Sequence, residues 1–128
     1  MKYVYPVIFT KEGADYNVVV PDLPGCVTFG RNLPDAIQMA RDAMSMWLCD
    51  AENSSEAIPA PSASVSCPDD GFVNLVDCDT DTYRRENDNR AVKKTLSIPS
   101  WLNVKAERAG VNFSQVLQEG LKEKLNIQ

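Results

Sequence analysis

Residues 91–128 constrain the chain most. They number 38 and contain neither cysteine nor histidine. Chains below roughly 40 residues seldom bury enough surface to fold alone without disulfides, metal or oligomerisation. Their pattern is nonetheless regular. Val92, Leu96 and Ile98 share one phase of a short strand, and Lys93, Thr95 and Ser97 share the other. Pro99 suits the first position of a helix, Gly110 suits its end, and Asn112 suits the cap of a second helix. Leu102, Ala106 and Ala109 on the first helix, with Phe113, Val116, Leu117, Leu121 and Leu125 on the second, supply an apolar stripe. Such a β-α-α unit is expected to fold as a homodimer. A polar-faced strand borne by an intertwined helical dimer is a device for reading a DNA groove.

Charge divides the chain at the same place. Residues 1–90 hold 7 Lys+Arg against 15 Asp+Glu, and residues 91–128 hold 6 against 3. An acidic body followed by a basic tail points to two partners of opposite charge, with nucleic acid suited to the tail and a basic protein to the body. The apolar runs are far shorter than the roughly 20 residues a membrane helix needs. The N-terminus has one early lysine and no long apolar core, so no signal peptide is expected and the cytoplasm is the expected location.

The body reads as β-β-β-α-β. Tyr3–Phe9, Tyr16–Val20 and Val27–Gly30 are strand-like, with Pro6 favouring an edge strand or a bulge. Pro21-Asp-Leu-Pro-Gly25 is a sharp turn. Asn32 is placed to cap a helix whose stripe is Leu33, Ala36, Ile37, Ala40, Ala43, Met44, Trp47 and Leu48. Met39, Met44 and Met46 read as core or rim packing. A loop rich in Ser, Ala and Pro follows, then a last strand at Phe72–Asp77. The expected organisation is a first domain at 1–80, a solvated linker at 81–90 and a second domain at 91–128. The role of Tyr83-Arg84-Arg85 within that linker stays open, between docking on either domain and contacting phosphate.

Little in the sequence suggests catalysis. Cys26, Cys49, Cys67 and Cys78 form no Cys-x-x-Cys pair, and histidine is absent, so free and mostly buried thiols are expected, with no metal or cofactor. Asp77, Asp79 and Asp81 begin like a calcium loop but lack its glycine and terminal glutamate. No phosphate-binding loop, nucleophile elbow or zinc-protease motif occurs. No catalytic residue is assigned.

Two blocks resemble one family. Val20-Pro-Asp-Leu-Pro-Gly-Cys-Val-Thr-Phe-Gly-Arg-Asn-Leu-Pro-Asp-Ala-Ile, followed by Ala40, Ala43 and Leu48, is similar to the signature of HicB antitoxins, roughly F-P-D-L-P-G-C-x-T-x-G and an alanine-rich helix. Val20 stands where an aromatic is common and Arg31 where an acidic residue is common. The block from Lys93 onward resembles the ribbon-helix-helix domain of one HicB branch. The resemblance implies an α+β chain: a partial RNase H-like domain without nuclease activity, then a ribbon-helix-helix domain. The first would bind and block HicA, a small basic RNA-cleaving toxin. The second would bind operator double-stranded DNA of its own operon as a homodimer or a higher-order assembly built from it.

In that arrangement Lys93, Thr95 and Ser97 are the base readers, because a two-stranded ribbon fits the major groove. Lys94 and the helix start at Asn112, Phe113 and Ser114 are placed to hold phosphate. Asp22, Leu23 and Pro24, with the first helix, are candidate toxin contacts. Two other functions stay open: a stand-alone ribbon-helix-helix regulator whose first domain binds a ligand or serves assembly, and a nuclease retaining RNase H-like chemistry.

Overall fold

The computed structural model describes all residues, 1–128. It is a mixed α+β chain that divides into two compact units, Met1–Asn89 and Arg90–Gln128. No helix is long and apolar enough to cross a membrane.

The first unit is built on strands β1 (Lys2–Glu12), β2 (Asp15–Val19), β3 (Val27–Gly30) and β4 (Gly71–Asp79). They form one antiparallel sheet in the order β3-β2-β1-β4. β1 and β2 form a hairpin that turns at Gly13, whose φ of +62° suits glycine. Pro6 does not mark an edge strand or a bulge. β1 lies inside the sheet, and its register with β4 runs unbroken from Lys2 to Thr10. However, β2 pairs only with Ile8–Glu12, so Pro6 lies in the half of β1 that has a single neighbour. A missing N–H is tolerated there.

Helix α1 (Leu33–Asn53) crosses one face of the sheet. As expected, the Asn32 side chain accepts from the Asp35 N–H at 2.8 Å, and Pro34 falls in the first turn. Asp35 in turn accepts from the Arg31 N–H at 2.9 Å, which fixes the approach to the helix. The buried stripe Ala36, Ala40, Met44 and Leu48 meets Tyr5, Val7, Phe9, Val18 and Val76 from the sheet. Leu33 is exposed instead. β3 and α1 meet closely at Gly30: a Cβ there would lie 2.4 Å from the Ala36 backbone.

The stretch 81–90 is not simply a linker. Thr80–Glu86 forms helix α2, capped by Asp79, whose side chain accepts from the Asp81 N–H at 3.0 Å. Arg84 secures it to the end of α1, reaching Glu52 at 3.0 Å, Asn53 at 2.8 Å and the Cys49 carbonyl at 3.2 Å. A polar segment thus becomes helical through tertiary hydrogen bonds rather than through an apolar stripe.

The second unit comprises helices α3 (Ser100–Arg108) and α4 (Phe113–Lys124). Pro99 is the residue before α3 rather than its first. Gly110 ends the helix in the left-handed region at φ +69°, with Val111 N–H donating to Ala106 and Gly110 N–H to Glu107. That pair of bonds is the Schellman arrangement. Asn112 caps α4 by accepting from the Gln115 N–H at 3.1 Å.

Candidate functional site

The second unit has no core of its own. Neither α3 nor α4 has a buried residue. The stripe expected to be buried lies open: Leu102, Phe113, Val116, Leu117, Leu121 and Leu125 are all exposed. So are Val92, Leu96 and Ile98. No strand forms over 91–98 within the single chain. Both departures have one cause. A strand exists only against a hydrogen-bonded neighbour, and a stripe is buried only against a facing surface. This chain offers itself neither. The unit carries 7 Lys+Arg against 3 Asp+Glu over residues 90–128.

Lys93, Lys94, Thr95 and Ser97 all lie exposed in that extension. Asn112, Phe113 and Ser114 meet at the start of α4, where the first turn leaves backbone N–H groups without helical partners. The Asn112 side chain is engaged by Gln115, so it serves as an ordinary cap whatever else the helix start does. Gly120 has nothing within 4 Å of the position a Cβ would take.

In the first unit the Pro21–Gly25 turn is a structural keystone. Leu23 is 1% exposed and belongs to the core, so its side chain has no surface to offer a partner. That corrects its placement among the candidate toxin contacts; a turn composition does not reveal which of its residues points inward. Asp22 accepts from the Ser62 N–H at 2.9 Å and from its hydroxyl, which ties down the long loop after α1. The Pro24 carbonyl accepts from the Trp47 indole at 2.9 Å. Gly25 sits at φ +78°.

Two open grooves flank α1. One, of about 760 Å³, is lined by residues that include Cys26, Val27, Met39, Met46, Trp47 and Tyr83. The other, of about 400 Å³, lies around Tyr3, Arg41, Asp77 and Thr82. The three clustered aspartates are engaged in structure. Asp77 pairs with Arg41 at 3.1 Å, Asp79 caps α2, and Asp81 meets the N-terminal amine at 2.8 Å.

At the junction of β1, α1 and α2, Glu52 accepts from Tyr3 at 2.7 Å, from Thr80 at 3.2 Å and from Arg84 at 3.0 Å. Burial pushes the Glu52 carboxyl up, but these three hydrogen bonds outweigh it and hold the group below its ordinary value. The hydrogen bond to Glu52, with burial adding, pushes the Tyr3 phenol up to about 12. Burial pushes the Cys26 thiol up to about 11. All four cysteines are free, with Cys26, Cys49 and Cys78 buried and Cys67 exposed.

The sheet itself shows a surface that sequence reasoning missed. Tyr5, Val7 and Phe9 of β1 face α1, so Val4 and Ile8 face away. Register carries that outer face to Val73 and Leu75 on β4, Val19 on β2, and Val27 and Phe29 on β3. The signal was present in the unbroken apolar runs of β1 and β2, where a sheet with one solvated face would alternate.

Comparisons with known proteins agree with this architecture. The family model described as HicB-like antitoxin of bacterial toxin–antitoxin system matches residues 5–121. A chain of a toxin–antitoxin complex from Streptococcus pneumoniae is 26% identical, with a TM-score of 0.59 over 97% of this chain and 99% of that one. The antitoxin HicB of Burkholderia pseudomallei shares the fold at 23% identity and a TM-score of 0.51, over 96% of each chain. An uncharacterised protein from the rep–hol intergenic region of Haemophilus phage HP1 is 28% identical over 77% of this chain and 75% of its own length.

Proposed function

The chain belongs to the HicB-like antitoxins of bacterial toxin–antitoxin systems, and from that premise we propose that it neutralises a HicA-like toxin through its first unit and represses its own operon through its second. In this reading it is not an enzyme. It works by occupying surfaces, in the cytoplasm where its toxin would cleave RNA.

The observation that carries the second role is the coreless second unit. Its exposed stripe on α3 and α4 calls for a facing surface of matching pattern, and a second copy supplies one. Two copies of 91–98 then pair as an antiparallel ribbon. Lys93, Thr95 and Ser97 of each strand project into the major groove, where lysine donates to guanine acceptors and the hydroxyls serve several bases. Lys94 and the α4 helix start at Asn112, Phe113 and Ser114 hold phosphates and set the register. A two-fold ribbon matches a roughly palindromic operator.

The first role rests on family membership and on charge. Residues 1–89 carry 6 Lys+Arg against 15 Asp+Glu, which suits a basic toxin. Half-buried Asp22 and exposed Pro24 stay candidate contacts. Co-expression with the small basic reading frame adjacent to this gene tests the reading. Rescued growth and a co-purifying complex are expected; persistent toxicity with both proteins present would refute it.

A further inference from the structure

The outer face of the β-sheet carries an inference that deepens the antitoxin reading and rests on it. Val4, Val19, Val27, Phe29, Val73 and Leu75 all project from this face and are exposed, Leu75 at 66% and Phe29 at 57%. They span all four strands. The opposite face packs against α1 and holds the core. An antiparallel sheet with one solvated face normally turns polar residues outward, whereas this one is apolar on both sides. A contiguous exposed apolar surface of this kind marks an interaction site.

Charge identifies the occupant. Glu12 and Asp15 pair across the hairpin end of the sheet, and Asp69 and Asp70 precede Gly71, which pairs with Thr10 at the same end. All four carboxylates are exposed. Lys11 is the cation between them in β1. A second copy of this unit would bring the same acidic end and the same excess of carboxylates against the face. A basic protein with an apolar centre to its contact surface meets both features at once. We propose that the outer sheet face, centred on Phe29 and Leu75, is the surface on which the basic toxin docks, with the acidic end steering its approach.

The α1 side supplies the internal control. Met46 is also exposed, but it lines the groove beside α1 rather than the outer face. The test uses the full chain and the toxin encoded by the adjacent frame, with affinity measured by titration. Phe29→Arg and Leu75→Arg are expected to weaken toxin binding by about 30-fold or more, the loss typical of a central interface anchor. Met46→Arg is expected to leave it unchanged. Retained affinity in both outer-face variants, with wild-type binding intact, overturns the docking surface and leaves the antitoxin reading standing. Failure of the wild-type chain to bind overturns both.

Hydrogen exchange on the unsubstituted chain covers the case in which a variant fails to fold. Toxin-dependent protection of 27–29 and 73–76 is expected. Protection confined to α1, or concentration-dependent protection of the sheet without toxin, overturns the proposal.

Discussion

The Tyr3 hydroxyl donates to the Glu52 carboxylate at 2.7 Å, joining the first strand to the last turn of α1. The same carboxylate binds Arg84 of α2, so one side chain ties together three elements far apart in sequence. Because the phenol is raised from 10 to about 12 in the folded chain, the folded state holds its proton more tightly than the unfolded state. That stabilisation is complete below pH 10 and is lost as pH rises through about 12. Tyr3→Phe should cost about 1 kcal/mol near neutrality, the worth of one hydrogen bond. Urea midpoints recorded across this range should show the gap between wild type and variant closing with rising pH. A gap that stays constant would contradict the assignment.

Gly30 illustrates a close approach that admits no side chain. A Cβ there would stand 2.4 Å from Ala36 backbone atoms, at the point where β3 hands over to α1. Gly30→Ala should therefore destabilise the chain by about 1–3 kcal/mol or more, the usual range for overpacking. Chemical denaturation measures this directly, and an unchanged midpoint would be the unexpected result.

Thiol labelling should separate the cysteines by burial. Cys67 is exposed, whereas Cys26, Cys49 and Cys78 are buried, and burial raises all three of those thiols above their ordinary value. An aromatic disulfide reagent near pH 8 should therefore modify one thiol rapidly in the native chain and all four after denaturation. Cys67→Ser should remove the rapid phase, and a surviving rapid phase would place another thiol at the surface.

The DNA recognition proposed for the second unit divides into two measurable parts. On that proposal Thr95→Ala should reduce preference for operator over random DNA while leaving the oligomeric state unchanged, because Thr95 is assigned to base reading. Lys94→Ala should weaken binding to both and lower the salt slope by about 1, because Lys94 is assigned to a phosphate. Titration at several salt concentrations distinguishes them. Unchanged discrimination in the threonine variant would remove Thr95 from the reading face.

Much of the fold was legible because local chemistry and tertiary structure agree. Asn32, Pro34, Gly110 and Asn112 each announce a helix boundary by their own geometry, and the stripe through Ala36, Ala40, Met44 and Leu48 announces its buried face. Helix α2 was not legible, since Thr80–Glu86 has no apolar period and depends on Arg84 reaching α1. Leu23 was misplaced because a turn signal says where the chain reverses and not which side chain enters the core. The outer sheet face was visible only once register fixed which residues of β1 and β2 point away from α1. Exposure of the stripe on α3 and α4 could not be read either, because an apolar period does not say whether the chain supplies a facing surface.

The proposed division of labour between the two units is tested most directly by titrating purified toxin with intact wild-type chain and with Thr95→Ala, following RNA cleavage and operator binding in the same preparations. Both proteins should abolish cleavage at near-equal molar ratio, while only the wild type retains operator preference. Cleavage that persists under saturating wild-type chain would contradict the antitoxin role at its root.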